Sequence, residues 1–239
     1  MQPTGAPLRP LVVGVLGGMG PAATWDFCQR LLAATPASQE QHHLRVLVDS
    51  DPSLPDRNEA LAGRGPSPGP RLAQMARGLE RAGAELLCMP CNAAHAFLDE
   101  VRTATSLPFV DMIEATTAAA RKVVPGLSRV ALLATTATLD AGLYARAFTE
   151  MGVEVLDVPK SRREEAMAVI YAVKRGDTGP AVRAAARSLA EQAVAGGAEA
   201  LIAACTEVPL VLDATEVEVP WLVSSDALAA AVVAAATRT

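Results

Sequence analysis

Aromatic residues are scarce in this 239-residue sequence, where Phe, Tyr and Trp together make up 3%. A chain so poor in rings offers little on which to stack nucleobases. Charge of one sign is lacking as well: 21 basic against 26 acidic residues leave a formal net charge of −5. Neither the footprint of a nucleic-acid binder nor a polybasic membrane patch is implied. The opening MQPTGAPLRP has no apolar h-region, and the apolar run behind it is broken by the glycines and proline of GVLGGMGP. No signal peptide or spanning helix is legible, so a cytoplasmic location is expected. In that compartment the 4 cysteines are expected to be free thiols rather than a disulfide framework.

What the sequence does have is alanine, a helix former, and a rhythm. Short apolar runs, PLVVGVL, LRVLVD, AELLCM, RVALLA, VEVLDV and EALIAA, alternate with longer stretches of Ala, Leu, Glu and Arg at helical spacing. That alternation predicts a parallel α/β fold, which at this length forms one large domain or two small ones. AGRGPSPGP reads as an exposed loop.

The chain also repeats itself. GAELLCMPC, ending at Cys91, and GAEALIAAC, ending at Cys205, share a Gly-Ala-Glu entry and a hydrophobic strand ahead of the sulfur. Each follows an amphipathic segment, RLAQMARGLERA or VRAAARSLAEQAVA. Pro108 leads to Glu114 with the spacing by which Pro220 leads to Asp226, and PLVVGVLGGMG loosely matches SRVALLATTAT. Features aligned in one order indicate an internal duplication.

The duplication bears on the Cys-x-x-Cys of Cys88 and Cys91, a spacing that suggests a redox dithiol or half a zinc site. Side chains alternate along a strand, so residues three apart point to opposite faces if the strand reaches both. The repeat pairs Cys91 with Cys205 instead and aligns Cys88 with Ile202, which makes Cys88 core filler. Cys28, on the helical pattern ATWDFCQRLL, reads the same way. Cys91 and Cys205 both fall at a strand's carboxyl end, where parallel sheets bind ligands. Asn92 and Thr206 supply cap-type side chains behind them, and a helix start there favours a thiolate. If the halves face each other, one sulfur lies on either side of a shared cleft. Two such groups, one charged and one neutral, suit inversion at a carbon bearing hydrogen: a base removes the proton from one face while an acid delivers another to the opposite face.

These residues resemble the cofactor-independent aspartate/glutamate racemase superfamily, and within it the aspartate racemase branch. The similarity runs from Val12 to Ala229, through GVLGGMGPAAT, PDR at 55–57, MPCNAAH around Cys91, DMIEAT at 111–116, LLATTAT at 132–138 and ACTEVPL around Cys205. The resemblance implies two pseudo-symmetric α/β domains with the active site between them, residues 1–113 plus 219–239 and residues 114–218, the last helix returning to the first domain. It implies racemisation of an acidic amino acid, aspartate first, without pyridoxal phosphate or a metal, in a homodimer. Cys91 and Cys205 become the paired acid and base. Asn92 and Thr206 would bind the substrate's α-carboxylate and amino group, with Met19 and Thr135 beside them, and Arg57 and Lys174 would hold its carboxylates. A guanidinium suits that task independently of the resemblance, while Lys174 also reads as a charge closing a helix opened by a Ser161/Glu164 capping box.

Two positions depart from the family pattern: Ala93 stands where threonine is usual, and Asp111 where histidine is frequent. His95, four residues after Cys91, either tunes the thiolate or is a hydrogen-bonded structural histidine. Three rival readings remain. GMGPAA satisfies a dinucleotide-binding glycine pattern with Asp49 as the ribose acid, though Asp49 comes later in the chain than that pattern asks. A second keeps the fold but acts on glutamate or another amino acid, or as a related isomerase or decarboxylase. The third is a non-catalytic amino-acid binder.

Overall fold

In a computed structural model, which describes residues 9–156 and 158–237, the short apolar runs become parallel strands in two sheets of four. The opening residues 1–8, part of the basis for expecting no leader, lie outside that range. The first half runs β1 (Val13–Gly17), α1 (Pro21–Ala34), β2 (Val46–Ser50), α2 (Arg57–Leu61), α3 (Gly69–Arg81), β3 (Leu86–Cys88), α4 (Leu98–Ala104), β4 (Phe109–Val110) and α5 (Met112–Val123). The second runs β5 (Arg129–Ala134), α6 (Thr136–Asp140), α7 (Leu143–Thr149), β6 (Glu154–Val155), α8 (Lys160–Lys174), α9 (Pro180–Ala195), β7 (Ala200–Ala204), β8 (Trp221–Val223) and α10 (Ser224–Ala236). The strand orders are β2-β1-β3-β4 and β6-β5-β7-β8. One winding occurs twice, so the repeat seen around the cysteines is a repeat of topology.

The central strands explain the unbroken apolar runs. Every residue of β1 and of β7 is buried, as expected of parallel strands covered by helices on both faces. Gly14 in β1 is needed for that packing, because a Cβ there would meet Leu87 Cδ2 at 2.7 Å and Ala84 Cβ at 2.9 Å. α3 buries Leu72, Met75, Ala76 and Leu79, the i, i+3, i+4, i+7 stripe of an amphipathic helix. The exposed glycine and proline loop ends at Ser67, since Pro68 and Gly69 are already buried where α3 begins. α8 differs from its capping-box expectation. The chain enters it directly from Pro159, with no side-chain cap, so Ser161 is already helical and lacks the extended backbone that an N-cap requires.

Each half lends its closing helix to the other. Leu228, Ala229, Val232, Val233 and Ala236 of α10 pack with Val13, Val15, Phe27 and Leu31 of the first half. Ile113 and Ala120 of α5 pack with Val130, Leu132, Tyr144 and Phe148 of the second. β8 stays with its own half, Leu201 lying opposite Trp221 and Ile202 opposite Leu222. From Ser224, after β8, the chain packs as α10 against the first half.

Candidate active site

The two cysteines of the Cys-x-x-Cys lie in different core clusters, although β3 ends at Cys88 and strand alternation does not extend to Cys91. Cys88 ends β3 and is fully buried among Val15, Phe27 and Leu228, and burial pushes its thiol far above the ordinary range. Cys91 lies beyond the strand, in the cluster of Leu16, Met19 and Met89 on the other side of the sheet. All four cysteines are free. Cys28, half-buried on α1, has its thiol raised by burial. Among the described residues no three His, Cys, Asp or Glu side chains cluster as a metal site would require.

Every candidate site residue named from the sequence lines one small cavity between the sheets. Met19, Arg57, Cys91 and Asn92 approach from the first half; Thr135, Lys174, Cys205 and Thr206 approach from the second. Its volume is about 20 Å³, room for roughly one water, so the cleft between the sheets is closed. A larger cavity of about 330 Å³ lies along β5, lined mostly by apolar side chains with Arg162 and Arg163, but none of the converging chemistry reaches it.

The local folding that places these groups is legible. Asp56 caps α2 by accepting from the backbone of Asn58 and Glu59, which turns Arg57 inward at 8% exposure. Its Nη1 donates to the carbonyl oxygens of Pro55 (2.9 Å) and Leu54 (3.4 Å), while its Nε is buried without a partner. Thr135 caps α6 by accepting from Thr138 N, and the two hydroxyls lie 2.9 Å apart. Lys174 ends α8 with its ammonium 3.3 Å from Glu207 Oε1. Burial pulls its pKa down, but Glu207 and then the two cysteines outweigh that and raise it.

Glu207 is the residue that sequence reasoning missed. Buried at 3% exposure, it accepts from Cys205 Sγ at 3.1 Å, from Thr206 Oγ1 at 3.2 Å and from the backbone N–H of Gly20 at 3.3 Å. One carboxyl group thus joins the glycine turn of the first half to a cysteine of the second. The pattern Cys-Thr-Glu held the signal, because a carboxylate two residues beyond a strand-end sulfur can return to it. Burial, followed by the Glu207 charge, drives the Cys205 thiol well above its ordinary pKa. That corrects the expectation of a thiolate favoured by a helix start at this position: in the closed cleft Cys205 is a proton donor to Glu207.

Residues 16–235 match the Asp/Glu/hydantoin racemase family. The chain belongs to that family. Its activity is that of an amino-acid racemase. The fold of the Picrophilus torridus aspartate racemase superposes with a TM-score of 0.81 at 31% identity, covering 95% of this chain and 94% of that one. An aspartate racemase homologue from Pyrococcus horikoshii OT3 gives 0.74 at 25%, covering 95% and 99%. The broad specificity amino-acid racemase RacX of Bacillus subtilis (strain 168) is 26% identical over 229 residues, covering 91% of this chain and 95% of that protein.

In this racemase the glycine turn that could suggest a dinucleotide site serves close packing. A Cβ on Gly17 would collide with Thr24, and one on Gly18, whose φ is +94°, with the Asp51 backbone. The capping roles read for Asn92 and Thr206 are also replaced. The segments behind the cysteines are the 3-10 turns Ala93–Phe97 and Val208–Leu210, and neither side chain caps. Thr206 bonds to Glu207, and Asn92 bonds to Ser224 and Tyr144, partners that a linear motif does not reveal.

His95 is a structural histidine. The Met112 N–H donates to Nε2 at 3.1 Å, so Nδ1 carries the proton and donates to the Cys91 carbonyl at 2.9 Å. Asp111 caps α5 through Ile113 N and Glu114 N and lies 3.8 Å from the ring. Burial lowers the His95 pKa from its usual value, against the opposing pull of Asp111 and with Arg102 adding slightly to the lowering. The unfolded histidine therefore takes up a proton on acidification that the folded one resists, and stability falls as pH drops below about 6.5. Denaturant melts of wild type and His95→Gln at about pH 7.5 and about pH 5.5 check this; the variant is expected to lose less stability between the two.

Proposed function

We propose that the protein racemises an acidic amino acid, aspartate in the first place, by direct proton transfer at Cα between Cys91 and Cys205, without pyridoxal phosphate. The observation that carries the reading is the convergence of both cysteines, one from each half, on the walls of one cavity. In one direction one sulfur withdraws the α-proton as the other delivers its own to the opposite face; the reverse reaction exchanges the roles. Cationic groups beside Cα lower the energy of the developing carbanion. Lys174 is matched by Glu207, whereas Arg57 meets backbone carbonyls and keeps a buried N–H to spare. An anionic substrate side chain meets that need. The Picrophilus aspartate racemase supports the choice of aspartate, and the breadth of the Bacillus relative makes a substrate panel the proper test. Both sulfurs must stay reduced, which suits the cytoplasm, and the family resemblance implies a homodimer.

L-Amino acids incubated in deuterated water without added cofactor are expected to give D-aspartate carrying deuterium at Cα, scored by chiral chromatography and mass. No mass gain with any amino acid would leave only a binder. Arg57→Ala is expected to lower kcat/KM for aspartate by about 10- to 100-fold, the worth of a charge-assisted hydrogen bond, and to affect alanine less. Equal losses on both would remove the arginine from side-chain recognition.

A further inference from the structure

Asn92 is held from both sides. The Tyr144 hydroxyl donates to its Oδ1 at 2.6 Å, its Nδ2 donates to Ser224 Oγ at 3.1 Å, and Ser224 Oγ donates to the Ala203 carbonyl at 2.8 Å. The three side chains are 1%, 2% and 0% exposed, so no water competes for these bonds.

The direction of every bond follows from the last one. A backbone carbonyl can only accept, so Ser224 must spend its one proton on Ala203. Its oxygen is then an acceptor, and the Asn92 amide has to present nitrogen to it. The carboxamide oxygen consequently faces Tyr144, which must donate. A single fixed acceptor on β7 thereby sets the orientation of an amide in the opposite half of the molecule.

The placement of the ends matters more. Asn92 adjoins Cys91, and Ala203 lies two residues before Cys205 on the same run of chain. Tyr144 stands on α7 and Ser224 opens α10, the helix that crosses between halves. The relay therefore ties the loop of one sulfur to the strand of the other.

We propose that Tyr144 and Ser224 are positioning residues whose buried relay through Asn92 fixes the separation of Cys91 and Cys205 in the closed cleft. The proposal rests on the two-cysteine reading above. Neither residue touches the reacting atoms; each acts through Asn92. Two thiols on opposite faces of one carbon must both be in register, and a misplacement of about 1 Å costs on the order of 100-fold in rate.

The test uses the full chain with Tyr144→Phe, Ser224→Ala and the double variant, each checked for folding by circular dichroism. For each single variant kcat is expected to fall roughly 10- to 100-fold with KM little changed, and the isotope effect on kcat with α-deuterated aspartate is expected to rise as proton transfer becomes rate-limiting. The double variant is expected to lose no more than the worse single one, because either change breaks the same chain of bonds. Should Tyr144→Phe not fold, Ser224→Ala, which removes one hydroxyl, carries the test alone on the same kcat and isotope-effect criteria. Wild-type kcat in a folded variant, a rise confined to KM, or losses that multiply in the double variant would overturn the proposal. Full activity in Cys91→Ala would instead overturn the proton-transfer reading beneath it.

Discussion

Cys91→Ala and Cys205→Ala are each expected to lower racemisation in both directions by about 10³-fold or more, within the range for losing a positioned acid or base. The reason is stoichiometric. Removing the α-proton without a donor opposite leads only to its return, and a donor without a base never receives a carbanion. A pair of unequal catalysts would give a different pattern, with one variant crippled and the other merely slowed. Initial rates from L- and D-aspartate, followed by chiral chromatography, check this. Parent-level racemisation by either variant would end the assignment.

The second large effect belongs to Glu207. Glu207→Gln is expected to lower kcat by about 100-fold, the scale of an impaired proton-transfer partner, and to change the pH profile in a stated sense. The Cys205 thiol is held high by burial and by the neighbouring carboxylate. Removing the negative charge while Lys174 remains stabilises the thiolate, so the Cys205 pKa falls. The limb of the kcat/KM profile that reports loss of the thiol proton therefore moves to lower pH. Movement to higher pH, or none, would show that the carboxylate does not act on the sulfur. The variant is also expected to melt earlier, because Lys174 loses its partner.

Much of this site was legible because its chemistry is tied to strand ends. A burial pattern of unbroken apolar runs locates β1, β3, β5 and β7, and a sulfur at the close of β7 and another just past β3 then have determined places. The repeat supplied the pairing of Cys91 with Cys205 and withdrew Cys88, whose alternation puts it on the other face. What stayed hidden depends on contacts across the cleft. Glu207 reaches Gly20 and Lys174, and Asn92 finds Tyr144 and Ser224, at separations that no local pattern encodes. The cap-type reading of Asn92 failed for that reason, since its side chain had better partners in the other half. Asp111 shows the converse: its capping of α5 is local, yet the family comparison drew attention to the histidine it replaces.

The exchange of closing helices also makes each half a part of the other's core. The apolar side of β1 and α1 is completed by Leu228, Val232 and Ala236, from a helix that follows the second half's last strand. Neither half covers its apolar surface alone, since α5 completes the second as α10 completes the first. Without residues 224–236 the apolar side of the first half's sheet would stand uncovered, open to chaperones and proteases.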